Sequence, residues 1–530
     1  MTIAEYLATF LKNSGVQTVF GLPGGENVPV VEALRQAGIG LTLMHHEISA
    51  AFAADVLGQL TDSPGVCLST VGPGAVNLAA GATAATRERS PVLAITAEIA
   101  ASWLPNVTHM KVDLTALFGQ TKGSHHLTPD NTPATLAASW QLAQQVPRGA
   151  VHVAVDPETA VLPLTTPIAL PNPPEPEPFD PVMLEAALPY LREAKRPFLL
   201  AGVGVEAAGA QPELLALAEA WQIPVAVTPK AKGHFPENHP LFAGVFTAYG
   251  DKALRQALNE ADLVVGVGLD SVDFVTSTWN SPAPVLNLAE AEADDPALRP
   301  VVAVNGRLSP LLTHLQTIRQ PHSDGVARAA DIRQQIAAAL VTPYPDTPGC
   351  LKLHDLIAAL RRALPEETAV TVDVGAFKLV FLQQWRTNTP KSVFVANGLS
   401  AMGYAIPGAI AIRTAQLHRP VVAIAGDGAL LMYAGELATV ARLQQPLIIL
   451  VVVDEALSLI RLKQLRQEVT IHATEFGYTN YEALAAAFGL SYRLVDNVAT
   501  AEETLREAAG LTHPVLVEAR VNKVEYEHFR

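Results

Sequence analysis

Short apolar runs separated by helical stretches set the pattern of this chain. Residues 421–425, Val-Val-Ala-Ile-Ala, end in Gly426-Asp427-Gly428; a helical stretch follows, and a second run over 446–453 ends in Asp454. Runs of this kind read as parallel strands, buried on both faces and joined by a crossover helix. Residues 41–47 read as a strand running into a helix that starts near Ile48, residues 91–96 as another strand, and Phe20 to Gly25 as the turn after one more. Runs at 197–201, 224–227, 263–267 and 301–304 supply strands to the middle of the chain. Proline marks the boundaries: a stiff, extended linker over 166–181 and a second over 339–350. The pattern predicts an α/β protein of three doubly wound, mainly parallel-sheet domains at 1–165, 182–338 and 351–530. The outer two are expected to share a shape without sharing sequence.

A right-handed crossover leaves the carboxyl ends of both strands on one side of the sheet, so Asp427 and Asp454 face one crevice. Gly426 and Gly428 let a diphosphate approach the backbone, and the following helix offers its N-terminus to the anion. Two hard oxygen ligands beside a phosphate suit Mg²⁺, which shares its shell with phosphates and water. A bare Gly-Asp-Gly is also an ordinary turn of a doubly wound domain, and only context separates the two.

That context resembles the thiamine-diphosphate motif of the acetohydroxyacid (acetolactate) synthases, benzoylformate decarboxylases and pyruvate decarboxylases. The motif is Gly426-Asp427-Gly428-Ala429-Leu430-Leu431 with Gly435-Glu436-Leu437-Ala438-Thr439, then a strand ending at 454. The resemblance implies that Asp427, Asp454 and the carbonyl of Ala456 hold Mg²⁺ on the diphosphate. Gly426, Gly428, Ala429, Leu457 and Ser458 are then implied at the cofactor. Where the family has paired asparagines this chain has Val453-Asp454, which brings a second carboxylate to an anionic cofactor and makes binding more metal-demanding. In the family a glutamate at the place of Glu47 bonds the aminopyrimidine ring and begins the proton relay that activates the cofactor; alone, Glu47 reads equally as a favourable charge in a helix's first turn. Thr70 to Asn77 resembles the family's SGPGATN turn, which implies Gly74 and Asn77 at the cofactor, and 91–96 resembles its PLVAITG strand. Asn397 to Gly403 resembles GGLGTMG. By that match Met402 props the cofactor into its bent shape and the Ser400 carbonyl receives the pyrimidine amino group, although an isolated methionine reads as core filler. His45 and His46, neighbours on a strand, point to opposite faces and do not chelate one ion.

The resemblance covers nearly the whole chain and labels its domains pyrimidine-binding, central and diphosphate-binding. It implies a homodimer or homotetramer with shared active sites, Glu47 of one chain facing Asp427 of its partner. A 2-oxo acid is the implied donor, decarboxylated to an enamine that is ligated to a second carbonyl compound. The alternatives are a decarboxylase releasing an aldehyde, a benzaldehyde-lyase-type carboligase, and a non-catalytic cofactor-binding paralogue, against which the presence of Glu47 argues. Gly25 and Thr70 stand where benzoylformate decarboxylases place serine and histidine, and Ile460 where pyruvate decarboxylases carry an acid. A pocket short of proton shuttles favours carboligation over aldehyde release. His109 is the remaining titratable candidate, and Met110 stands where the synthases have glutamine. Arg461 and Lys463 either attract a carboxylate substrate or form a solvated basic helix face.

In the middle domain Gly202-Val203-Gly204 after a strand hints at nucleotide binding, a weak signal. Acetohydroxyacid synthases bind FAD through this domain and carry a GARFDDR segment; here Gly266 to Phe274 lacks both arginines. FAD is therefore not expected, and Asp270 and Asp273 read as solvated surface acids, the alternative being that one of them reaches the active-site mouth. Composition narrows the classes further. At 530 residues the length suits about three domains. A net charge of -15, scattered rather than blocked, opposes binding to nucleic acid or anionic membranes. The apolar runs are too short to span a bilayer, and the first residues lack the pattern of a signal peptide. Cys67 and Cys350, far apart, suggest a reducing, cytoplasmic setting without disulfides or a zinc site.

Overall fold

The apolar runs form three six-stranded sheets in which every strand pair is parallel. The computed structural model describes all residues except 169, 248–251, 274–281, 293–297, 319–320, 342 and 530. The expectations touching Phe274 and the linker residues Ala169 and Thr342 lie outside the described residues. The chain divides into two compact units: Met1–Glu175 with Gly398–Leu417 and Met432–Gln445, and Pro176–Asn397 with His418–Leu431 and Pro446–Arg530.

The first unit holds β1 (Thr18–Gly21), β2 (Gly40–Leu43), β3 (Gly65–Ser69), β4 (Val92–Ala97), β5 (Ser124–His126) and β6 (Ala150–Val155), in the order β2-β1-β3-β4-β6-β5. The inner strands β3, β4 and β6 are buried along their whole length, whereas β2, at the edge, is exposed at both ends and half-buried between them. A sheet covered on both faces by helices needs apolar side chains on both faces, which explains the unbroken runs. The helix Ile3–Asn13 opens on a capping box between Thr2 and Glu5 and buries Ile3, Tyr6, Leu7, Phe10 and Leu11 in this unit's core.

The second unit holds two sheets. One contains β7 (Pro197–Ala201), β8 (Val225–Val227), β9 (Phe242–Val245), β10 (Leu263–Val267), β11 (Val285–Ala289) and β12 (Val302–Asn305), in the order β12-β11-β10-β7-β8-β9. The other contains β13 (Ala369–Val372), β14 (Val393–Val395), β15 (Val421–Gly426), β16 (Ile448–Val453), β17 (Ser491–Val495) and β18 (Val515–Arg520), in the order β14-β13-β15-β16-β18-β17. This last order repeats that of the first unit's sheet, strand for strand. The middle sheet has instead the dinucleotide-binding order, with β7 and β10 at the reversal point. One apolar core runs through both sheets of the second unit, from Phe198, Leu200 and Val264 to Val370, Ile424 and Leu450.

Three sequence expectations need correction. The strand expected over 41–47 ends at Leu43, and the helix begins at Glu47 because His46 caps it, its ring Nδ1 accepting the Ile48 N–H at 3.2 Å. His45 and His46 therefore lie beyond the strand, not on opposite faces of it. The runs at 224–227 and 301–304 each begin one residue later, and β9 and β11, short and bounded by proline or glycine, escaped notice. Among the described residues no helix is long and apolar enough to cross a membrane. Cys67 and Cys350 are free thiols.

Candidate active site

Open parallel sheets bind ligands beyond the carboxyl ends of their strands. In the third sheet β15 and β16 are neighbours ending at Gly426 and Val453, so the next residues, Asp427 and Asp454, stand together and both are buried. Asp427 Oδ2 accepts the backbone N–H groups of Asp454 (3.1 Å) and Glu455 (2.7 Å), and its Oδ1 accepts that of Gly428 (2.8 Å). Asp454 Oδ1 accepts the Ala456 N–H at 3.0 Å and its Oδ2 the Ser458 hydroxyl at 2.8 Å. Burial raises the Asp427 carboxyl above its ordinary range. Burial, and then the charge of Asp427, pushes Asp454 up to about 7. Two acids forced together away from water form a donor set that a divalent cation neutralises.

Asp427 Oδ1 retains a lone pair for that purpose, since a carboxylate oxygen has two and this one accepts the Gly428 N–H, whereas Oδ2 accepts two N–H groups. Ala456 bridges Glu475 through bonds made by its neighbours, Leu457 N–H to Thr474 (2.7 Å) and Phe476 N–H to Glu455 (3.2 Å), which leaves the Ala456 carbonyl outside that ladder. Two carboxylates and a carbonyl thus fit one hard cation whose remaining positions a diphosphate would fill. Among the described residues no cluster of three or more His, Cys, Asp or Glu side chains offers a protein-only cage. The helix that opens at Asp427 is six residues long, Asp427–Met432, and its Gly428 N–H is already turned to Asp427. Ala429 is buried within it. Phe377, which the sequence reading missed, walls the crevice, its ring 3.2 Å from where a Cβ on Gly426 would stand.

In the first unit the ends of β1, β2 and β3 converge. Glu47 opens the helix Glu47–Thr61, and its Oε2 accepts from Asn77 Nδ2 at 2.9 Å. Gly74 lies against it: a Cβ there would sit 3.2 Å from Glu47 Oε1 and 3.0 Å from Thr70 Cγ2. The turn carrying Glu47 is fixed by Glu436, almost fully buried, whose Oε1 accepts the His45 and His46 N–H groups, each at 3.1 Å. Glu436 was visible in the motif, but its role was not, because the contact spans most of the chain. Ser400 and Met402 lie on a turn with two left-handed residues, Ser400 (φ 53°) and Gly403 (φ 91°). Gly403 is packed so closely on the Tyr433 ring that a Cβ would fall 2.0 Å from it. The Gly398 N–H of the same segment donates to the buried Glu88 at 2.7 Å.

The comparisons with known proteins address the whole chain. Residues 1–117 match the N-terminal TPP binding domain of thiamine pyrophosphate enzymes, residues 184–315 their central domain and residues 373–519 their C-terminal TPP binding domain. The chain is 30% identical to the acetolactate synthase of Arthrospira platensis, over 99% of this chain and 95% of that protein. The chain belongs to the thiamine pyrophosphate enzyme family. Two further relatives agree: the large subunit of acetolactate synthase isozyme 1 of Escherichia coli K12 (28% identical, 99% of this chain, 94% of the relative) and a probable acetolactate synthase large subunit of Methanocaldococcus jannaschii (29%, 98% and 92%). This acetolactate-synthase-like member of the family is a thiamine-diphosphate-dependent enzyme that forms carbon–carbon bonds.

The remaining pocket candidates of this thiamine pyrophosphate enzyme scatter. Gly25 is exposed, and a side chain there would meet nothing within 4 Å. Thr70 donates its hydroxyl to Glu26 at 2.8 Å. Glu26 is thus an acid bonded to one of the positions compared, and the sequence comparison did not name it. Met110 has a left-handed backbone (φ 59°) and packs over Gly72, while His109 is exposed on the preceding turn. Ile460 and Lys463 are exposed on the helix Ser458–Arg466. Arg461 is neither solvated nor available to substrate, since it pairs with Glu527 at 2.8 Å. Leu457, ahead of that helix, gives its N–H to Thr474.

The middle sheet also departs from expectation. Asp273 is wholly buried rather than a surface acid. It lies where β7, β8 and β10 end, accepting from the Thr228 hydroxyl (2.6 Å), the Val203 N–H (3.1 Å to each oxygen) and the Asp270 N–H (2.9 Å). The loops after β7 and β10 are bonded directly to each other, Gly202 N–H to Val267 and Gly204 N–H to Gly268, both at 2.9 Å. A dinucleotide phosphate needs those N–H groups and that space. The residues at this switch point do not fit one.

Proposed function

We propose that this enzyme decarboxylates pyruvate or a close 2-oxo acid and joins the remaining fragment to a second carbonyl compound, as an acetolactate synthase does. The observation that carries the reading is similarity to acetolactate synthases along essentially the entire chain. The proposed division of labour follows the domains 1–165, 182–338 and 351–530, each containing one sheet. Asp427, Asp454 and the Ala456 carbonyl hold Mg²⁺ against the diphosphate, with Gly426, Gly428, Ala429, Leu457 and Ser458 around it. Glu47, oriented by Asn77, holds the proton that the aminopyrimidine exchanges. Gly74 keeps the approach to Glu47 open, since any side chain would press on the carboxylate. Ser400 presents its carbonyl and Met402 its apolar side chain to the cofactor. Thiamine diphosphate supplies a stabilised carbanion equivalent next to the cleaved carboxylate; the protein supplies orientation, proton transfer and exclusion of water.

Active sites shared across a homodimer or homotetramer belong to this proposal, and sedimentation of the purified chain with cofactor tests it: a monomer that retains activity would contradict it. The decisive experiment incubates the enzyme with thiamine diphosphate, Mg²⁺ and pyruvate and identifies the products. Acetolactate or acetoin ahead of free acetaldehyde is the expected result. Acetaldehyde as the main product would make the enzyme a simple decarboxylase, with Glu26 the first acid to replace.

A further inference from the structure

We propose that the dinucleotide crevice of the middle sheet is filled by the chain's own Asp273 carboxylate, and that the turn it locks serves as the anchor of the Asn397–Gly403 segment. The middle sheet has the strand order of a dinucleotide-binding fold, and glycines stand at its reversal point. Such glycines normally let a pyrophosphate reach backbone N–H groups. Here the acceptor is internal. The Val203 and Asp270 N–H groups and the Thr228 hydroxyl all point at Asp273. Gly202 is required by this arrangement, because a Cβ there would lie 2.3 Å from Asp273 Oδ2. Gly204 and Gly268 face each other, and a Cβ on Gly204 would come within 2.8 Å of the Gly268 Cα. The glycines that elsewhere make room for a nucleotide make room here for a carboxylate and a second loop.

Asp273 closes a single turn of 3-10 helix, Ser271–Asp273. The carbonyl of Val272, inside that turn, accepts a hydrogen bond from Asn397 Nδ2. Asn397 is the first residue of the segment that carries Ser400 and Met402, so the locked turn fixes where that segment begins. Asp273 is thus a positioning residue, acting through Val272 and Asn397. The inference rests on the proposed cofactor contacts of Ser400 and Met402 only for its consequence in catalysis, not for the anchor itself.

Hydrogen exchange of the full chain without cofactor tests the anchor, together with equilibrium dialysis against FAD, NAD and ADP. Wild type is expected to bind none of the three. Asp273→Ala is expected to speed exchange across residues 397–403 by about tenfold or more, Asn397→Ala to do the same, and the double variant to add little to either. Thr228→Val, which keeps size and removes one bond to Asp273, gives a smaller acceleration and serves if Asp273→Ala fails to fold. Unchanged exchange at 397–403 in both Asp273→Ala and Thr228→Val, or additive effects with Asn397→Ala, overturns the anchor. Saturable nucleotide binding by wild type that Asp273→Ala alters overturns the filled crevice. Faster exchange with unaltered thiamine diphosphate affinity upholds the anchor and removes only the assigned roles of Ser400 and Met402.

Discussion

Asp454 carries the sharpest local conflict in the molecule. Its carboxyl is buried beside Asp427 and pushed up to about 7, so without a cation one of the two acids is held against its charge. Asp454→Asn is therefore expected to stabilise the metal-free protein by about 1 kcal/mol or more, the scale of a like-charge contact relieved in a partly buried site. Thiamine diphosphate binding should persist in that variant with a weaker demand for Mg²⁺. Asp454→Ala should bind more weakly, having lost a ligand and the bonds to Ala456 and Ser458. Calorimetric titration of both variants with and without chelator checks the pair; affinity indifferent to chelator and to Asp454→Ala would remove 454 from the metal site. At Glu47 the expected outcome is different in kind. Glu47→Gln keeps the shape and an acceptor for Asn77 but cannot share a proton, so product formation should fall by about a hundredfold or more while cofactor binding is retained. Residues such as these were legible because the motif names them. Glu26 was not: a lone glutamate near a glycine turn carries no signal until Thr70 is found bonded to it.

At the scale of elements, the turn from β2 into the helix Glu47–Thr61 shows what a local pattern leaves out. Residues 41–47 read as a strand running into a helix near Ile48, yet the chain leaves the sheet after Leu43. What turns it is a carboxylate nearly four hundred residues on, Glu436, receiving two N–H groups that the ladder would otherwise need. Glu436→Ala should strand both donors and destabilise the fold by about 1–3 kcal/mol. It should also lower activity through misplacement of Glu47, with Glu436→Gln recovering part of each. Chemical denaturation beside steady-state rates separates the two effects, and an active, fully stable Glu436→Ala enzyme would show that the turn holds itself. The Ser400–Gly403 turn has the same character. Gly403→Ala meets both a left-handed backbone and the Tyr433 ring. It should cost more than the penalty of about 1–2 kcal/mol that a left-handed backbone alone imposes on a Cβ and loosen cofactor binding; a neutral substitution at 403 would contradict the close packing described here.

The whole molecule records its buried acids in its dependence on pH. Burial pushes Asp273 up to about 7 from an ordinary 3.8, with Asp270 the charged neighbour adding to it. The folded chain holds this proton more tightly than the unfolded chain does, so the group's contribution to stability is full below about pH 4. It declines as pH rises and levels off once the folded group has ionised, near 7. The stability difference between wild type and Asp273→Asn, measured by denaturant titration across this window, should change with that sign; a difference independent of pH would mean that Asp273 titrates normally.

Taken alone, the sequence determined the sheet count, the parallel pairing and the cofactor family. Those depend on runs of apolar residues and on motifs whose parts lie within one βα unit, where neighbours in sequence are neighbours in space. A doubly wound shape shared by the first and third domains was likewise expected from pattern, whereas their common strand order came from the structure. Only the tertiary structure decided the rest: that Arg461 is committed to Glu527, that Glu436 holds the Glu47 turn, and that Asp273 seals a crevice its glycines seemed to open. Each is a polar group whose burial is tolerable only with partners brought from distant segments. No local pattern of residues records which distant donor will arrive.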